Sequence, residues 1–175
     1  MLELVSEAEI PFDRIEVFQV DERVAPDGDP DRNLTLLREH LPEAAFARVR
    51  PMPVTAGDLE AAAARYAATL PESLDLVHLG MGPDGHTASL VPGNPVLEVL
   101  DRQVAMTTGE YHGRRRMTLT YPALRAARRV FWLVSGAEKR EALSRLLAGD
   151  PTIPAGRVEA PDALVIADRA AAPPS

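Results

Sequence analysis

The segment LDLVHLGMGPDGHTASLVP, residues 74–92, places an apolar run directly before a glycine-rich loop. The run at residues 74–79 is typical of a buried strand, and the glycines and proline after it are typical of a loop at the strand's carboxyl end. Similar runs alternate with helical patterns along the chain, which indicates an α/β domain with a mostly parallel sheet flanked by helices. The predicted strands are residues 15–20, 74–79, 104–107, 117–120, 130–134 and 163–167.

Helices are predicted at residues 33–40, from 57 or 58 to 70, and at 137–147. The first ends before Pro42 and the last before Pro151, and proline is a normal stop signal. With 175 residues, 46% of them hydrophobic, the chain can bury a core of its own. We expect one α/β domain over residues 1–169 and a flexible C-terminal tail over residues 170–175.

The composition excludes several classes of site and location. The chain has no cysteine and only four scattered histidines, so we expect no disulfide, no thiolate chemistry and no metal. No apolar run approaches the ~20 residues of a membrane span. The start, Met1-Leu2-Glu3, is acidic, unlike the basic start of a secretion signal. These features predict a cytoplasmic protein that is not embedded in a membrane.

The net charge of −7 argues against a general nucleic-acid binder, which needs a basic surface for phosphates. The charge is unevenly spread, because residues 101–140 contain nine basic and three acidic side chains. A basic segment in an acidic protein suits a small anionic substrate. For Arg125, Arg128 and Arg129, however, we favour solvated charges at the ends of secondary-structure elements.

Ligands of open α/β sheets bind beyond the carboxyl ends of the strands, so candidate site residues are expected in the loops that follow the strands. Asp21, Glu22 and Arg23 are expected in the loop after the strand at residues 15–20. Three charges at a strand end are useful for orienting a polar ligand. On this motif alone, a surface cluster with an internal Asp–Arg pair is slightly favoured.

The glycine loop has the spacing of a dinucleotide fingerprint, with glycines at 80, 82 and 85. We reject that site because Pro83 lies inside the turn and the PGNP sequence at residues 92–95 stops any crossover helix after about two turns. The acidic Asp101 also precedes the next predicted strand and does not close it. The remaining prediction is a loop that brings Asp84 and His86 to the start of a short helix, where backbone N–H groups can approach an anion.

His86 is the candidate general base, since an unperturbed imidazole titrates near neutrality. The alternative is a helix-start residue that bonds to nearby backbone. A structural role fits the other three histidines better than a functional one. We expect His78 to pack within its strand, and His40 and His112 to face solvent or lie in loops.

A third chemically rich region combines residues 113–120 with the segment after the strand at 130–134. Arginines such as Arg116 suit bidentate phosphate binding. The chain contains 18 arginines and one lysine, and this Lys139 follows a strand beside a predicted helix start. Its position suits a point-charge contact with an anion.

Four motifs occur in order over most of the chain: DER at residues 21–23, GMGPDGHTASLVP at 80–92, RMTLTYPAL at 116–124 and VSGAEKR at 134–140. In these motifs the chain resembles the glucosamine-6-phosphate isomerase/6-phosphogluconolactonase family. Within that family, TASLVP at residues 87–92 resembles the lactonases, whereas deaminases tend to carry Ile-Ala-Phe-Asn-Glu-Pro. The acidic ring-opening partner of deaminases has no match here.

The resemblance implies a Rossmann-like architecture and hydrolysis of 6-phosphoglucono-δ-lactone to 6-phosphogluconate in the oxidative pentose phosphate pathway, without a metal or organic cofactor. It implies that His86 takes a proton from water and that Asp84 or nearby backbone orients the imidazole. The other roles it implies are sugar contacts from Asp21 and Arg23, phosphate contacts from Arg116 and Lys139, and substrate contacts in the glycine loop from Gly82, Gly85 and Thr87.

Three alternatives remain open. The second hypothesis is a deaminase or isomerase of sugar phosphates, and the third is a non-catalytic sugar-phosphate-binding domain. An unrelated α/β domain with chance motifs would be the fourth class, but several strand-end loops agree with the family.

One departure from the family concerns an earlier βαβ segment with a Ser-Gly-Gly phosphate loop, a sequence that this chain does not contain. A βαβ unit has about 30 or more residues. We therefore expect an N-terminally incomplete sheet with an exposed edge, which favours either a homo-oligomer or poor solubility. We also expect weaker activity unless another chain supplies the loop.

Overall fold

The computed structural model describes residues 10–173. The acidic start at residues 1–3 and the last two residues of the predicted tail lie outside this range. The strands are β1 (Val17–Phe18), β2 (Asp21–Arg23), β3 (Val49–Arg50), β4 (Val77–Leu79), β5 (Val104–Met106), β6 (Arg116–Leu119), β7 (Val130–Val134) and β8 (Ala163–Ala167). The α-helices are α1 (Asn33–His40), α2 (Glu43–Phe46), α3 (Leu59–Ala67), α4 (Tyr121–Arg125) and α5 (Arg140–Leu147).

These strands form three small sheets. Strands β4, β7 and β8 form a parallel sheet in the order β4-β7-β8, and β1 pairs with β3 in a second parallel sheet. The third sheet, in the order β2-β6-β5, is antiparallel. The mixed α/β class with parallel sheets and flanking helices agrees with the sequence prediction, whereas the separate antiparallel sheet was not anticipated.

Side chains alternate between the two faces of β7, and Val130, Trp132 and Val134 are buried on one of them. Its other face carries Phe131 and Leu133, which lie in register with Leu164 and Ile166 of β8. The core gathers on the first face and between β5 and α3. Its largest buried side chains include Trp132, Tyr121, Met52, Leu79, Leu90, Met117, Leu119, Leu124, Leu143 and Ile153.

The strand predicted at residues 15–20 is wrong in extent, and Asp21-Glu22-Arg23 is not in a loop. The segment 21–23 is strand β2, in register with β6 through pairs such as Asp21 with Thr118 and Arg23 with Arg116. The partner strand lies more than 90 residues away in sequence, so local periodicity carries no sign of the pairing.

The helix predictions succeed where capping and termination are local. Helix α1 has the predicted bounds, and α3 begins after Asp58, whose Oδ1 accepts the N–H of Ala61 at 3.0 Å. Helix α5 is preceded by a 3-10 turn at Ala137–Lys139, so both together cover the predicted segment. Short elements α2, α4 and β3 were missed.

The short helix predicted to begin at His86 is wrong. Residues 87–90 instead form a tight turn, in which the N–H of Leu90 donates to the carbonyl of Thr87 at 2.9 Å. Ala88 adopts a positive φ of 48°, and the N–H of Ser89 donates to Thr118 Oγ1 at 3.2 Å. Bonds to β6 thus take the place of helical bonds, and the next helical turn is the 3-10 helix Pro95–Glu98.

The beginning of the predicted tail is anchored. Ala171 is buried, and its N–H donates to Asp168 Oδ1 at 2.7 Å. The carbonyl of Ala170 accepts from Arg140 Nη2 at 2.8 Å. Flexibility therefore stays a prediction only for the residues that follow. None of the helices within residues 10–173 combines the length and apolar character needed to cross a membrane.

Candidate functional site

The glycine loop after β4 holds Asp84 and His86 in direct contact. The N–H of Gly82 donates to the carbonyl of His86 at 2.9 Å, and the N–H of Gly85 donates to that of Gly82 at 3.0 Å. These bonds fold the loop back on itself, so that His86 Nδ1 lies 2.6 Å from Asp84 Oδ1. The N–H of His86 donates to the same oxygen at 3.1 Å. Backbone bonds therefore fix the carboxylate against the imidazole.

Two glycines of the loop are required by space. A Cβ atom built on Gly82 would overlap Cε1 and Nδ1 of the His86 ring. Gly85 has a φ of +80°, and a Cβ there would lie 2.6 Å from Ile153 Cβ. The structure thus gives both glycines a role in shaping the loop, and their predicted contact with substrate remains a prediction.

Asp84 has the ionisation needed to orient the imidazole. Partial burial alone would raise the pKa of Asp84, but hydrogen bonds from the His86 ring and backbone outweigh it and hold the pKa below its ordinary value. An ionised Asp84 can only accept in this contact, so the hydrogen bond comes from the N–H at Nδ1 of the His86 imidazole. The other ring nitrogen, Nε2, is then the basic one. This arrangement suits a general base.

Tyr111 joins this pair and was missed in the sequence. Its hydroxyl lies 3.3 Å from Asp84 Oδ2 and 3.3 Å from His86 Nδ1. Its ring packs edge-on against the His86 ring, with 5.3 Å between centroids. Tyrosine carries no motif of its own here. The following His112-Gly113 pair is a hairpin-turn signal that could have drawn attention to it.

Asp21 is buried and ties the glycine loop to β2. Its Oδ2 accepts from Ser89 Oγ at 2.7 Å, and its Oδ1 accepts from Asn33 Nδ2 at 3.0 Å. Burial raises the pKa of Asp21, and this effect outweighs the opposing hydrogen bond from Ser89 and the charge of Arg23. The predicted site residue Asp21 therefore connects both motifs.

Glu22 belongs to the same motif and serves the fold. Its carboxylate is fully buried and accepts the N–H groups of Asn33 at 2.7 Å and Leu34 at 2.8 Å, at the start of α1. It also accepts from Gln19 Nε2 at 3.0 Å and Arg32 Nε at 3.4 Å. These donors occupy both carboxylate oxygens, so Glu22 caps the N-terminus of α1.

Arg23 and Arg116 face the same open pocket. They are opposed in register on β2 and β6, and they help to line a cavity of about 370 Å³. Burial lowers the pKa of Arg116, and the nearby charge of Arg23 lowers it further. The buried Nε of Arg116 has no hydrogen-bond partner among the described residues. Two cations held together in a pocket favour an anionic ligand.

Arg114 forms another wall of this pocket and was noted in the sequence only as part of the basic segment. Its Nη2 lies 3.1 Å from Asp29 Oδ2 and 3.3 Å from Asp31 Oδ2. It also borders a larger cavity of about 450 Å³, whose other lining residues are Val24, Ala25, Pro26, Val54, Thr55, Ala56, Gly57 and Leu59. None of the other predicted site residues lines that larger cavity.

Thr87 and Lys139 stand apart from this group. Thr87 is fully buried, and its hydroxyl donates to the carbonyl of Gly80 at 2.8 Å, which is a structural contact. Lys139 ends the 3-10 turn after β7, and β7 lies beside β4 in parallel. The loop with Lys139 therefore leaves the same sheet edge as the glycine loop, but within residues 10–173 no hydrogen bond or ion pair joins Lys139 to the other site residues.

Two of the remaining histidines, His78 and His40, agree with structural roles, whereas His112 lines the pocket of Arg23 and Arg116. His78 packs against Phe131, with 5.5 Å between ring centroids, and burial lowers its pKa. His112 is exposed, and His40 bonds to the carbonyl of Leu36 through Nδ1 at 3.0 Å. In the described part of the chain, no three His, Asp or Glu side chains are grouped so that they could hold a metal ion.

Comparison with known proteins identifies the family. The model for "Glucosamine-6-phosphate isomerases/6-phosphogluconolactonase" matches residues 1–166. A 6-phosphogluconolactonase from Synechocystis is 37% identical over 164 residues, and one from Streptomyces coelicolor is 38% identical over 173 residues. The crystal structure of 6-phosphogluconolactonase from Thermotoga maritima superposes with a TM-score of 0.82 at 28% identity, covering 95% of this chain and 79% of that one.

The matches cover most of this chain but less of its relatives. The aligned part is 85% of this chain and 66% of the Synechocystis protein. For the Streptomyces protein the shares are 88% and 64%. The chain therefore spans just under two thirds of the length of these relatives.

Proposed function

Because the chain belongs to the glucosamine-6-phosphate isomerase/6-phosphogluconolactonase family, we propose that it is an enzyme that hydrolyses 6-phosphoglucono-δ-lactone to 6-phosphogluconate. The main support for this proposal is the Asp84–His86 pair, whose Oδ1 and Nδ1 atoms lie 2.6 Å apart. Tyr111 connects this pair to Arg116, which lines the pocket together with Arg23. A base next to an anion pocket is what a phosphorylated lactone requires.

In the proposed reaction, Nε2 of His86 takes a proton from water, and the water oxygen forms a bond to the lactone carbonyl carbon. The carbonyl π bond breaks in this step, and its electron pair moves to the carbonyl oxygen until it re-forms the double bond. Asp84 accepts a hydrogen bond from the N–H at Nδ1, stays ionised and stabilises the imidazolium that results. The bond between the carbonyl carbon and the ring oxygen then breaks, and that oxygen takes the proton back from the imidazolium. One water is consumed, and the new carboxylic acid releases a proton to solvent.

The phosphate is proposed to bind Arg116, with Lys139 approaching from the loop after β7. Arg116 is suited to this because its guanidinium is nearly buried, which strengthens its attraction for an anion. Asp21 and Arg23 are proposed to contact the sugar portion. Gly82 and Gly85 are proposed to contact the substrate from the glycine loop, whereas the fully buried Thr87, predicted as a substrate contact, supports the loop through its hydrogen bond to Gly80.

The test is proton release from freshly made 6-phosphogluconolactone, with the enzyme-free rate subtracted because the lactone also opens spontaneously. Hydrolysis above that background supports the proposal. Ammonia release from glucosamine 6-phosphate would instead identify a deaminase. Binding of 6-phosphogluconate without any turnover would identify a sugar-phosphate-binding domain and reject the enzyme.

We also propose that the reaction serves the oxidative pentose phosphate pathway in the cytoplasm, where this substrate would be formed. The support is the proposed substrate itself, with the acidic, cysteine-free composition. Fractionation of cells that express the chain from its own gene would test the location. Recovery in a membrane or secreted fraction would reject it.

Self-association is a further part of the proposal. Strands β4 and β8 each pair only with β7 among the described residues, so both have a free edge. Leu164 and Ile166 of β8 are each 48% exposed on the face shared with Phe131. We propose a homo-oligomer whose interface forms at the free edge of β8. Light scattering should give a mass of at least twice 18.9 kDa, and a monodisperse monomer would reject it.

A further inference from the structure

Tyr111 lies between the two halves of the site. On one side its hydroxyl is 3.3 Å from both Asp84 Oδ2 and His86 Nδ1. On the other side the Arg116 guanidinium lies 5.1 Å from the centroid of the tyrosine ring. Arg116 Nη2 also donates to the backbone carbonyl of Tyr111 at 3.3 Å. One side chain therefore contacts both the candidate base and the candidate anion anchor.

The backbone holds Tyr111 in this position. Its N–H donates to the carbonyl of Arg114 at 2.9 Å, which closes a four-residue turn. The central residues His112 and Gly113 have φ values of 51° and 73°, as a tight hairpin turn requires. Arg114 is in turn paired with Asp29 and Asp31. The turn is thus fixed at both ends.

The hydroxyl acts as a donor to Asp84. Partial burial and the neighbouring Asp84 carboxylate both raise the pKa of Tyr111, so the phenol keeps its proton. Because His86 Nδ1 bears a proton when it bonds to Asp84, the phenol proton is directed to the other carboxylate oxygen. Asp84 then has one oxygen held by His86 and the other by Tyr111.

We propose that Tyr111 is a positioning residue that couples the anion pocket to the base: its hydroxyl orients Asp84 and thereby His86, while its ring seats Arg116. This inference rests on the proposed lactonase function and names a residue that the sequence motifs do not contain. Two parts of the Tyr111 side chain then have different effects. The hydroxyl governs the chemical step, and the ring governs phosphate binding.

Kinetics of two variants separate these effects. Tyr111→Phe removes only the hydroxyl, so kcat should fall about tenfold, as for loss of one hydrogen bond to a charged group, while KM stays within about twofold. Tyr111→Leu also removes the ring, so KM should rise about threefold in addition. Unchanged kcat in Tyr111→Phe would overturn the inference.

Tyr66→Phe is the matched control. Tyr66 is buried in the core, and its hydroxyl donates to the carbonyls of Gln19 at 3.0 Å and Arg50 at 3.2 Å, away from Asp84 and His86. Loss of that hydroxyl should lower the melting temperature and leave kcat within about twofold. An equal fall of kcat in both variants would mean a general structural effect and would also overturn the inference.

A spectroscopic measurement tests the inference without turnover. In protein labelled with ¹⁵N-histidine, the His86 Nδ1 proton is assigned by its loss in His86→Gln. Tyr111→Phe should shift this signal and speed its exchange with water, whereas Tyr66→Phe should leave it unchanged. An unchanged signal in Tyr111→Phe would overturn the positioning role. If the wild-type chain does not hydrolyse the lactone, the proposed function fails. The spectrum still shows whether the Tyr111 hydroxyl contacts the Asp84–His86 pair.

Discussion

Glu22 and Asp84 are two carboxylates in two neighbouring motifs, and their surroundings differ. Glu22 is fully buried and accepts from Gln19, Arg32 and two helix N–H groups. Asp84 lies in a loop with 39% of its side chain exposed and bonds mainly to one imidazole. A saturated buried carboxylate stabilises a fold, whereas a partly open one beside a histidine is available for chemistry.

The largest effect on kcat is expected for His86→Gln. Removal of a general base lowers kcat by about 10²- to 10⁴-fold, and the fold should be retained because the ring is partly exposed. His40→Gln is the control, since His40 lies at the end of α1 and, within residues 10–173, bonds only to the local backbone carbonyl of Leu36. Initial rates and circular dichroism of both variants check this. Full kcat in His86→Gln would show that the base is assigned to the wrong residue.

Glu22→Gln should show the opposite behaviour. The change removes one of the two charged partners of the buried Arg32, the other being Asp27, and it also places an amide against the helix N–H groups, so the free energy of unfolding should fall by about 3 kcal/mol. Glu39→Gln, on an exposed part of the same helix, should change it by less than about 0.5 kcal/mol. Urea denaturation measures both. Comparable stability of the two variants would mean that Glu22 does not close the helix as described.

Gly82→Ala tests whether space in the loop matters for the Asp84–His86 contact. The added methyl overlaps the imidazole, so the ring must move, and a displacement of about 1 Å costs about 10²-fold in rate. Gly80→Ala is a matched control, because a Cβ at Gly80 meets nothing within 4 Å. Initial rates with the lactone decide it, and equal activity of both variants would contradict the geometry.

Asp21→Asn should give the smallest effect, seen in the pH dependence of stability. Burial raises the pKa of Asp21, so the folded state binds its proton more tightly than the unfolded state. The contribution of Asp21 to stability is present below the ordinary aspartate pKa and is lost as pH rises through the raised value. The variant should therefore gain on the wild type as pH rises, measured by urea unfolding at pH 4 and pH 7. A free energy of unfolding, variant minus wild type, that does not increase from pH 4 to pH 7 would contradict this.

The sequence predicted those elements whose signals are local. Apolar runs located β7 and β8 at their observed bounds, and a proline stop marked the end of α1. The family motifs named Asp84, His86, Arg23 and Arg116 as site residues. In the structure the first two lie in one loop and the two arginines line one pocket.

What the sequence did not reveal depends on pairing between distant segments. Strand β2 forms because residues 21–23 meet β6, and the helix expected at His86 is absent because Ser89 bonds to Asp21 and Thr118. Tyr111 reaches Asp84 only because a tight turn folds it back. The contacts of β2 and of Ser89 leave no periodic or compositional signal, and the only signal for the Tyr111 contact is the turn pair His112-Gly113.

The central claim is that the Asp84–His86 pair and the arginine pocket form one site. The direct measurement is kcat/KM for 6-phosphogluconolactone and for unphosphorylated gluconolactone, each corrected for spontaneous opening, in the wild type and in Arg116→Gln. The account predicts that the wild type prefers the phosphorylated lactone by at least about tenfold and that Arg116→Gln loses most of this preference. Equal rates for both lactones, or no rate above background, would contradict it.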